Sequence, residues 1–407
     1  MKLLILTQYF PPETGAPQNR LFELAVRLLH QNIEVTVLTA MPNYPQMEIY
    51  QAYKGKSYFF ESMQGMNVHR SAIYVSKNKG IMSRLRNYFS FVVSSMRTAS
   101  KLEKAYDFIL CESPPLFLGY SALYLARIKK AKLIFNVSDL WPESAEKLGV
   151  VTNKTLLSFA YRLERRLYQS SVLVCGQTQG ICANIRQRFP EVKTYWLPNG
   201  VDLNYYNPEN YSGAGWREIN GFTSDDFILF YGGIIGIAQG LEVIVKAAKM
   251  LEAEPRIKFV LQGNGPQKSQ LMELAKQMQL KSLLFIDSVT KSEMPNVLKS
   301  IDAAVIPLRK LEIFTGAIPS KIFESAAMQI PIILGVDGEA RQLFIEQGHS
   351  GLFFEPENSA ALRDSILKLF NDKTLTKQLG ENGRKYVAQN FNRERIAHSL
   401  VLQLNAL

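Results

Sequence analysis

The feature that most constrains this chain is a unit that recurs along it: a short unbroken apolar run, a loop, then a helical pattern. Residues 3–6 are LLIL, a loop with Pro and Gly follows at 9–17, apolar residues recur at Leu21, Leu24, Ala25 and Leu28, and a second apolar run occupies 35–38. An apolar run without alternation is a strand buried on both faces, and the recurrence at three and four residues is one face of a helix. Strand, helix, strand in that order gives a parallel sheet with a right-handed crossover and helices packed on its faces. The same reading predicts strands at 68–74, 108–111, 132–136 and 172–175, and helices at 83–104, 116–130 and 154–170.

The pattern pauses near 197, at LPNGVDLNYYNPENYSGAGW, where Pro, Asn and Gly concentrate as they do in linkers. It then restarts. Strands are expected at 228–231, 258–261, 284–286, 304–306 and 332–334, with helices at 241–251, 266–279, 292–299 and 320–328, and helices again over 358–407. The fold class is therefore α/β: two doubly wound, Rossmann-like domains, 1–197 and 198–384, with ligand-facing loops beyond the strand ends and a cleft between them. A length of 407 residues with 47% hydrophobic and 20% charged residues suits two soluble domains. No apolar stretch approaches about 18 residues, so no transmembrane helix is expected, and the N-terminal run reads as a first strand, not a signal peptide. Three cysteines without C-x-x-C spacing point to a reducing, cytoplasmic setting, and the four histidines show no ligand spacing. A net charge of +11 favours an acidic partner.

Several loops carry candidate chemistry. Gly15 and Ala16 precede a helix with Arg20, an arrangement suited to phosphate, or to a plain turn. The four glycines of GGIIGIAQG, from Gly232, lie between strand and helix, where backbone N–H groups cradle phosphate or glycine serves close packing. Gly263 opens a similar turn. Asp139, in NVSDLWPES, stands just past a strand, either as a site carboxylate or as the cap of the next helix. In PSKIFESAA, Lys321 and Glu324 share the first turn of a helix that starts after Ser320, as a solvated pair on a capped helix or as ligands of an anion. Residues 83–104 combine Arg84, Arg86, Arg97, Lys101 and Lys104 with an apolar centre. They read as a basic amphipathic helix on an anionic bilayer, favoured by further basic clusters at 127–132 and 162–166, or as a core helix with a solvated face.

Taken together, YFPPETGAPQNRL, DLWPES, LPNGVD, GIAQGLE and PSKIFESAAMQIPII give the chain a resemblance over nearly its full length to the retaining glycosyltransferases of family 4, built on the GT-B fold. It looks closest to the branch adding amino or deoxy sugars in bacterial O-antigen and capsule assembly. The resemblance implies transfer from a nucleotide diphosphate sugar, a UDP-sugar, to a saccharide or lipid-linked saccharide hydroxyl, with no cofactor, metal or nucleic acid. Gly15 and Ala16 would face the donor diphosphate, where Arg20 could add a cation. Gly233, Gln239 and Gly263 would lie in the second-domain phosphate loops, Val289 would meet the base through its backbone, Glu324 would hold the ribose, and Lys321 would lie by the phosphates. Asp139 would orient sugar or acceptor, and helices from about 385 to 407 would cross back onto the first domain.

Two departures stand out. The family's glutamate pair is spaced E-x7-E, but the position eight before Glu324 is Gly316. Relatives also place Arg and Lys in the second-domain loop, where this chain has Gly233 and Gln239. With the carboxylate missing, the backbone of Thr315, Gly316, Ala317 and Ile318 is the expected holder of the sugar diphosphate. Two other functions share these residues: a UDP-sugar 2-epimerase of the same fold, needing no acceptor, and an inactive scaffold of a polysaccharide assembly.

Overall fold

The structure is a computed structural model of the chain; it describes every residue except Thr14, Lys79, Leu148, Val150 and Ala214, together with the side chains of Ala16 and Ile81. The chain divides into two units, Met1–Asn199 with Arg393–Leu407, and Gly200–Asn392.

The first unit is built on β1 (Lys2–Leu6), β2 (Glu34–Ala40), β3 (Tyr58–Met63), β4 (Met66–Ser71), β5 (Phe108–Ser113), β6 (Lys132–Val137), β7 (Leu173–Gly176) and β8 (Thr194–Trp196), in the order β3-β4-β2-β1-β5-β6-β7-β8. All neighbours are parallel except β3 and β4. Leu3 to Leu6 are fully buried because helices cover both faces. One layer, Ile81–Thr98, Gly119–Lys129 and Lys154–Ser170, inserts Phe91, Ala122, Leu125, Ala160 and Leu167 into the core. The other, Ala16–His30 and Arg393–Asn405, inserts Leu21, Ala25, Leu28, Ala397 and Leu400. Each such leucine contributes about 1.5–3 kcal/mol of burial. The C-terminal helix is held further by ion pairs from Arg27 to Glu394 (2.9 Å) and from Arg393 to Glu23 (3.5 Å).

The second unit is a six-stranded parallel sheet of β9 (Phe227–Gly232), β10 (Ile257–Gln262), β11 (Leu283–Ile286), β12 (Ala303–Pro307), β13 (Ile332–Gly335) and β14 (Gly351–Phe353), in the order β11-β10-β9-β12-β13-β14. The return to the first unit begins at Arg393 rather than near 385. The preceding helix, Lys373–Asn390, stays with the second unit because Leu379 enters its core and Gly380 lies so close to the Gln329 carbonyl that a Cβ would come within 2.1 Å of it.

The expected strand at 68–74 is Met66–Ser71, and the helix expected over 83–104 ends at Thr98. Three strands escape the sequence reading. β3 and β14 lie at sheet edges, β3 with a mixed and half-exposed face, while β14 and β8 span only three residues each. The helix Gln179–Arg188 also escapes it, its polar residues hiding the buried Ile181, Cys182 and Ile185.

Each sheet has one place where the chain leaves in one direction and later returns to the other side: between β1 and β5, and between β9 and β12. Ligands of open α/β sheets bind beyond the strand ends at such a switch point.

Candidate functional site

At the first unit's switch point the leading loop is held by buried charges. Glu13 takes backbone N–H groups from Asn43 (2.8 Å), Tyr44 (2.9 Å) and Phe10 (3.2 Å). Its burial raises the carboxyl pKa, and those three donors oppose the rise. Arg70, fully buried, donates to Glu61 at 2.5 Å and to the Pro11 carbonyl. Gly15 precedes the helix in extended backbone, with its Cα face against the Gln18 amide, and Ala16 is the first helical residue. Thr14, between them and Glu13 in the same loop, lies outside the described residues.

Arg20 requires a correction. It does not reach out toward a phosphate: it is buried, and Nη2 donates to Glu112 Oε1 at 2.5 Å and to Ser138 Oγ at 2.7 Å. Ser138 also donates to that carboxylate, and Asn136 Nδ2 donates to its other oxygen at 2.5 Å. Glu112 stands at the end of β5 and Asn136 near the end of β6, so the strand order β1-β5-β6 gathers this network.

Asp139 lies just beyond, past the end of β6. It accepts a hydrogen bond from Ser144 Oγ (2.9 Å) instead of capping the helix Glu143–Lys147 through a backbone amide at N2 or N3. Although the residue is exposed, crowding by protein atoms raises the carboxyl pKa, with Ser144 and the Leu140 amide opposing and Glu143 adding to the rise.

At the second switch point the glycines show the close packing that is one of their two readings. The Gly233 amide donates to the Gln262 carbonyl and the Gly263 amide to the Ile286 carbonyl, both at 2.9 Å, so these N–H groups extend the sheet. A Cβ on Gly263 would lie 1.8 Å from the Gly233 carbonyl oxygen, at φ +146°, and one on Gly265 would lie 2.3 Å from that of Ile235. These glycines let the loops after β9 and β10 pack backbone against backbone. Gln239 folds its side chain over Gly236.

Lys321 faces this turn. Its Nζ lies 3.9 Å from the centre of the Tyr231 ring, and a Cβ on Gly233 would come within 3.0 Å of it. Among the described residues it has neither an ion-pair nor a hydrogen-bond partner. The residue as a whole is half-buried, but protein atoms enclose the ammonium, and desolvation pushes its pKa down to about 7 against the pull of Glu324. The cation on an aromatic face is favourable but weaker than a carboxylate pair. Lys321 and Glu324 together line a cavity of about 40 Å³ with Gly232, Met294, Leu298 and Ser325, just at the β9/β12 crossing.

The loop before that helix is partly self-satisfied. The Thr315 amide donates to Glu312 (3.1 Å) and the Ala317 amide to Phe314 (2.9 Å), so two of the four expected donors are used internally. Among the described residues the amides of Gly316 and Ile318 have no acceptor, and a Cβ on Gly316 would meet nothing within 4 Å. Ser320 is already helical and caps nothing with its side chain. Val289 leaves both its backbone N–H and C=O without a partner among the described residues, while Thr290 and Glu293 are tied together, Thr290 Oγ1 donating to Glu293 (2.6 Å).

The structure thus brings Lys321, Glu324 and Gly233 together and leaves Arg20 in a separate buried network. Sequence reading missed Glu13, Arg70, Glu112 and Tyr231; the available signal was a charged residue, Glu112, ending an otherwise apolar strand.

Two doubly wound sheets, parallel except at the β3 edge, each with a loop cluster at its switch point, are the architecture of the GT-B class of glycosyltransferase. The Glycosyltransferase Family 4 model matches residues 18–205 and the Glycosyl transferases group 1 model matches 214–386. The chain is 24% identical to WcaI of Escherichia coli K12, a glycosyl transferase named for colanic acid biosynthesis, over 98% of this chain and 99% of that one. Its fold is similar to sucrose-phosphate synthase from Thermosynechococcus elongatus (TM-score 0.76, 17% identity, 100% and 99% covered) and to Anabaena HepE in complex with UDP and glucose (TM-score 0.73, 17% identity, both chains covered 100%). The chain belongs to the family 4 glycosyltransferases of the GT-B fold.

Proposed function

We propose that this glycosyltransferase moves a sugar from a UDP-sugar to a hydroxyl of a saccharide or lipid-linked saccharide, with retention, in the assembly of a surface polysaccharide. The observation that carries the donor assignment is Lys321: a cation with no ion pair or hydrogen bond among the described residues, partly stripped of water, beside Glu324 and at the switch point of the second sheet. A buried ammonium is costly until an anion arrives, so the site favours a diphosphate. On that ligand Lys321 offsets the charge that grows on the leaving group, the largest electrostatic demand of glycosyl transfer from a nucleotide.

Glu324, one turn along the same helix, accepts the ribose hydroxyls, and the open amides of Gly316 and Ile318 take oxygens of the sugar diphosphate in place of the missing carboxylate. Val289 meets the base through its free backbone groups, and Asp139 orients sugar or acceptor. HepE, whose structure is described with UDP and glucose, supports uridine as the nucleoside, and WcaI supports a polysaccharide product.

Calorimetry across UDP, GDP, CDP and their common sugars tests this reading. UDP and one UDP-sugar should bind, and heat stability should rise with their concentration. Binding of GDP but not UDP would remove the uridine assignment. Conversion of a UDP-sugar to its C2 epimer without acceptor would replace transfer by epimerisation.

A further inference from the structure

The three helices that cover one face of the first sheet have an outer surface that the glycosyl-transfer site does not use. On Ile81–Thr98 the exposed residues Met82, Arg86, Phe89, Val93 and Arg97 follow one another at spacings of three and four, so they form one stripe along the helix. Tyr124 and Ile128 are exposed on Gly119–Lys129, and Phe159 on Lys154–Ser170. These six apolar side chains are 38–62% exposed. Two of them rest on the layer beneath: the Phe89 ring lies 5.0 Å from Phe117, and Phe159 lies 6.2 Å from Tyr120, at the start of the middle helix.

The charge on this layer is one-sided. Glu164 is the only acidic residue in the three helices, and it is buried against Arg188. Arg84, Arg86, Arg97, Arg127, Arg162 and Arg166 are all exposed, and none has an ion-pair partner among the described residues. Some exposed basic residues elsewhere are paired, as Lys54 is with Glu48 and Lys310 with Glu355. Exposed aromatic and aliphatic side chains gain from a hydrocarbon boundary, and guanidinium groups beside them gain from anionic headgroups. Nucleic acid would satisfy the arginines but would leave Met82, Val93 and Ile128 in water.

We infer that this three-helix face lies on an anionic lipid bilayer, with Met82, Phe89, Val93, Ile128 and Phe159 entering the headgroup boundary and the arginines contacting lipid phosphates. No helix among the described residues is long and apolar enough to cross a membrane, so the attachment is to the surface. Each exposed arginine adds about fivefold to partitioning at low salt. The full chain should sediment with phosphatidylcholine vesicles containing phosphatidylglycerol, and should be released by salt.

Arg86→Ser with Arg162→Ser should lower the partition coefficient about 25-fold on vesicles containing phosphatidylglycerol. Phe89→Ser with Phe159→Ser should also weaken it, while leaving the salt dependence. Both double variants are on the surface and should melt with the parent chain, which separates lost binding from lost fold. Equal binding to pure phosphatidylcholine would overturn the inference. So would a tight complex with duplex DNA that the Phe89/Phe159 variant leaves unchanged, or a dimer in solution that this variant converts to monomer.

Discussion

The two switch points of this protein have the same topology and opposite electrostatics. Beyond β1 and β5, Arg20 and Glu112 are buried against each other and tied to Ser138 and Asn136. Beyond β9 and β12, Lys321 sits on an aromatic ring with no ion pair or hydrogen bond among the described residues. A charge already matched inside the protein holds a loop in place; a charge left unmatched is available to a ligand. The first arrangement holds the fold and the second is the one proposed to bind, although the bare sequence shows a basic residue near a helix start in both cases.

The largest expected effect breaks the first member of the comparison. Glu112→Gln leaves the Arg20 guanidinium buried without its carboxylate and should cost about 3–5 kcal/mol of stability in urea unfolding. UDP affinity of the folded protein should stay the same. A loss of UDP affinity at unchanged stability would show that Arg20 and Glu112 belong to the binding site after all.

Lys321→Met tests the second member and should do the reverse. UDP binding should weaken by about 1.5–3 kcal/mol while stability is kept or improved, because a desolvated charge is removed. Glu324→Ala should weaken UDP by about 1–3 kcal/mol, and uridine by the same factor, since the ribose is common to both. Uridine affinity should be indifferent to Lys321→Met, which separates phosphate from ribose contacts by calorimetry.

The pH dependence sharpens the same contrast. Lys321 in the free protein has its pKa lowered to about 7, and a diphosphate selects the ammonium form. Affinity should therefore be full below pH 7 and fall as pH rises above it, by at most about tenfold per unit. The terminal phosphate of UDP, with a second pKa near about 6, is already ionised in that range. A calorimetric pH series on the parent chain should show this slope, and the same series on Lys321→Met should be flat.

The smallest effect concerns Gly316. A Cβ there meets open space and the backbone lies outside the left-handed region, so Gly316→Glu should change stability by no more than about 0.5 kcal/mol. It restores the spacing of the family's glutamate pair. The ratio of UDP-sugar to UDP affinity should shift, with UDP itself unaffected; a melting temperature far below the parent's would mean that the space is not open.

The β1, β2, β5 and β6 runs, the paired helices and the restart after the Asn- and Pro-rich stretch were legible because their periodicity is local. So was the placement of Lys321 and Glu324 three positions apart on one helix. The glycines stayed ambiguous in the sequence because phosphate cradling and close backbone packing ask for the same residue; the approach of Gly263 to the Gly233 carbonyl shows the packing.

By itself, then, the sequence determined two α/β units and a short set of charged and glycine positions at their loop ends, since those follow from spacing along the chain. The tertiary structure decided which charges remain available. Arg20 meets Glu112 across 92 residues only because β5 lies beside β1, and Lys321 reaches Tyr231 only because the helix after β12 lies beside the end of β9. Charge pairing depends on distances of a few ångströms, and strand order, not chain position, sets them.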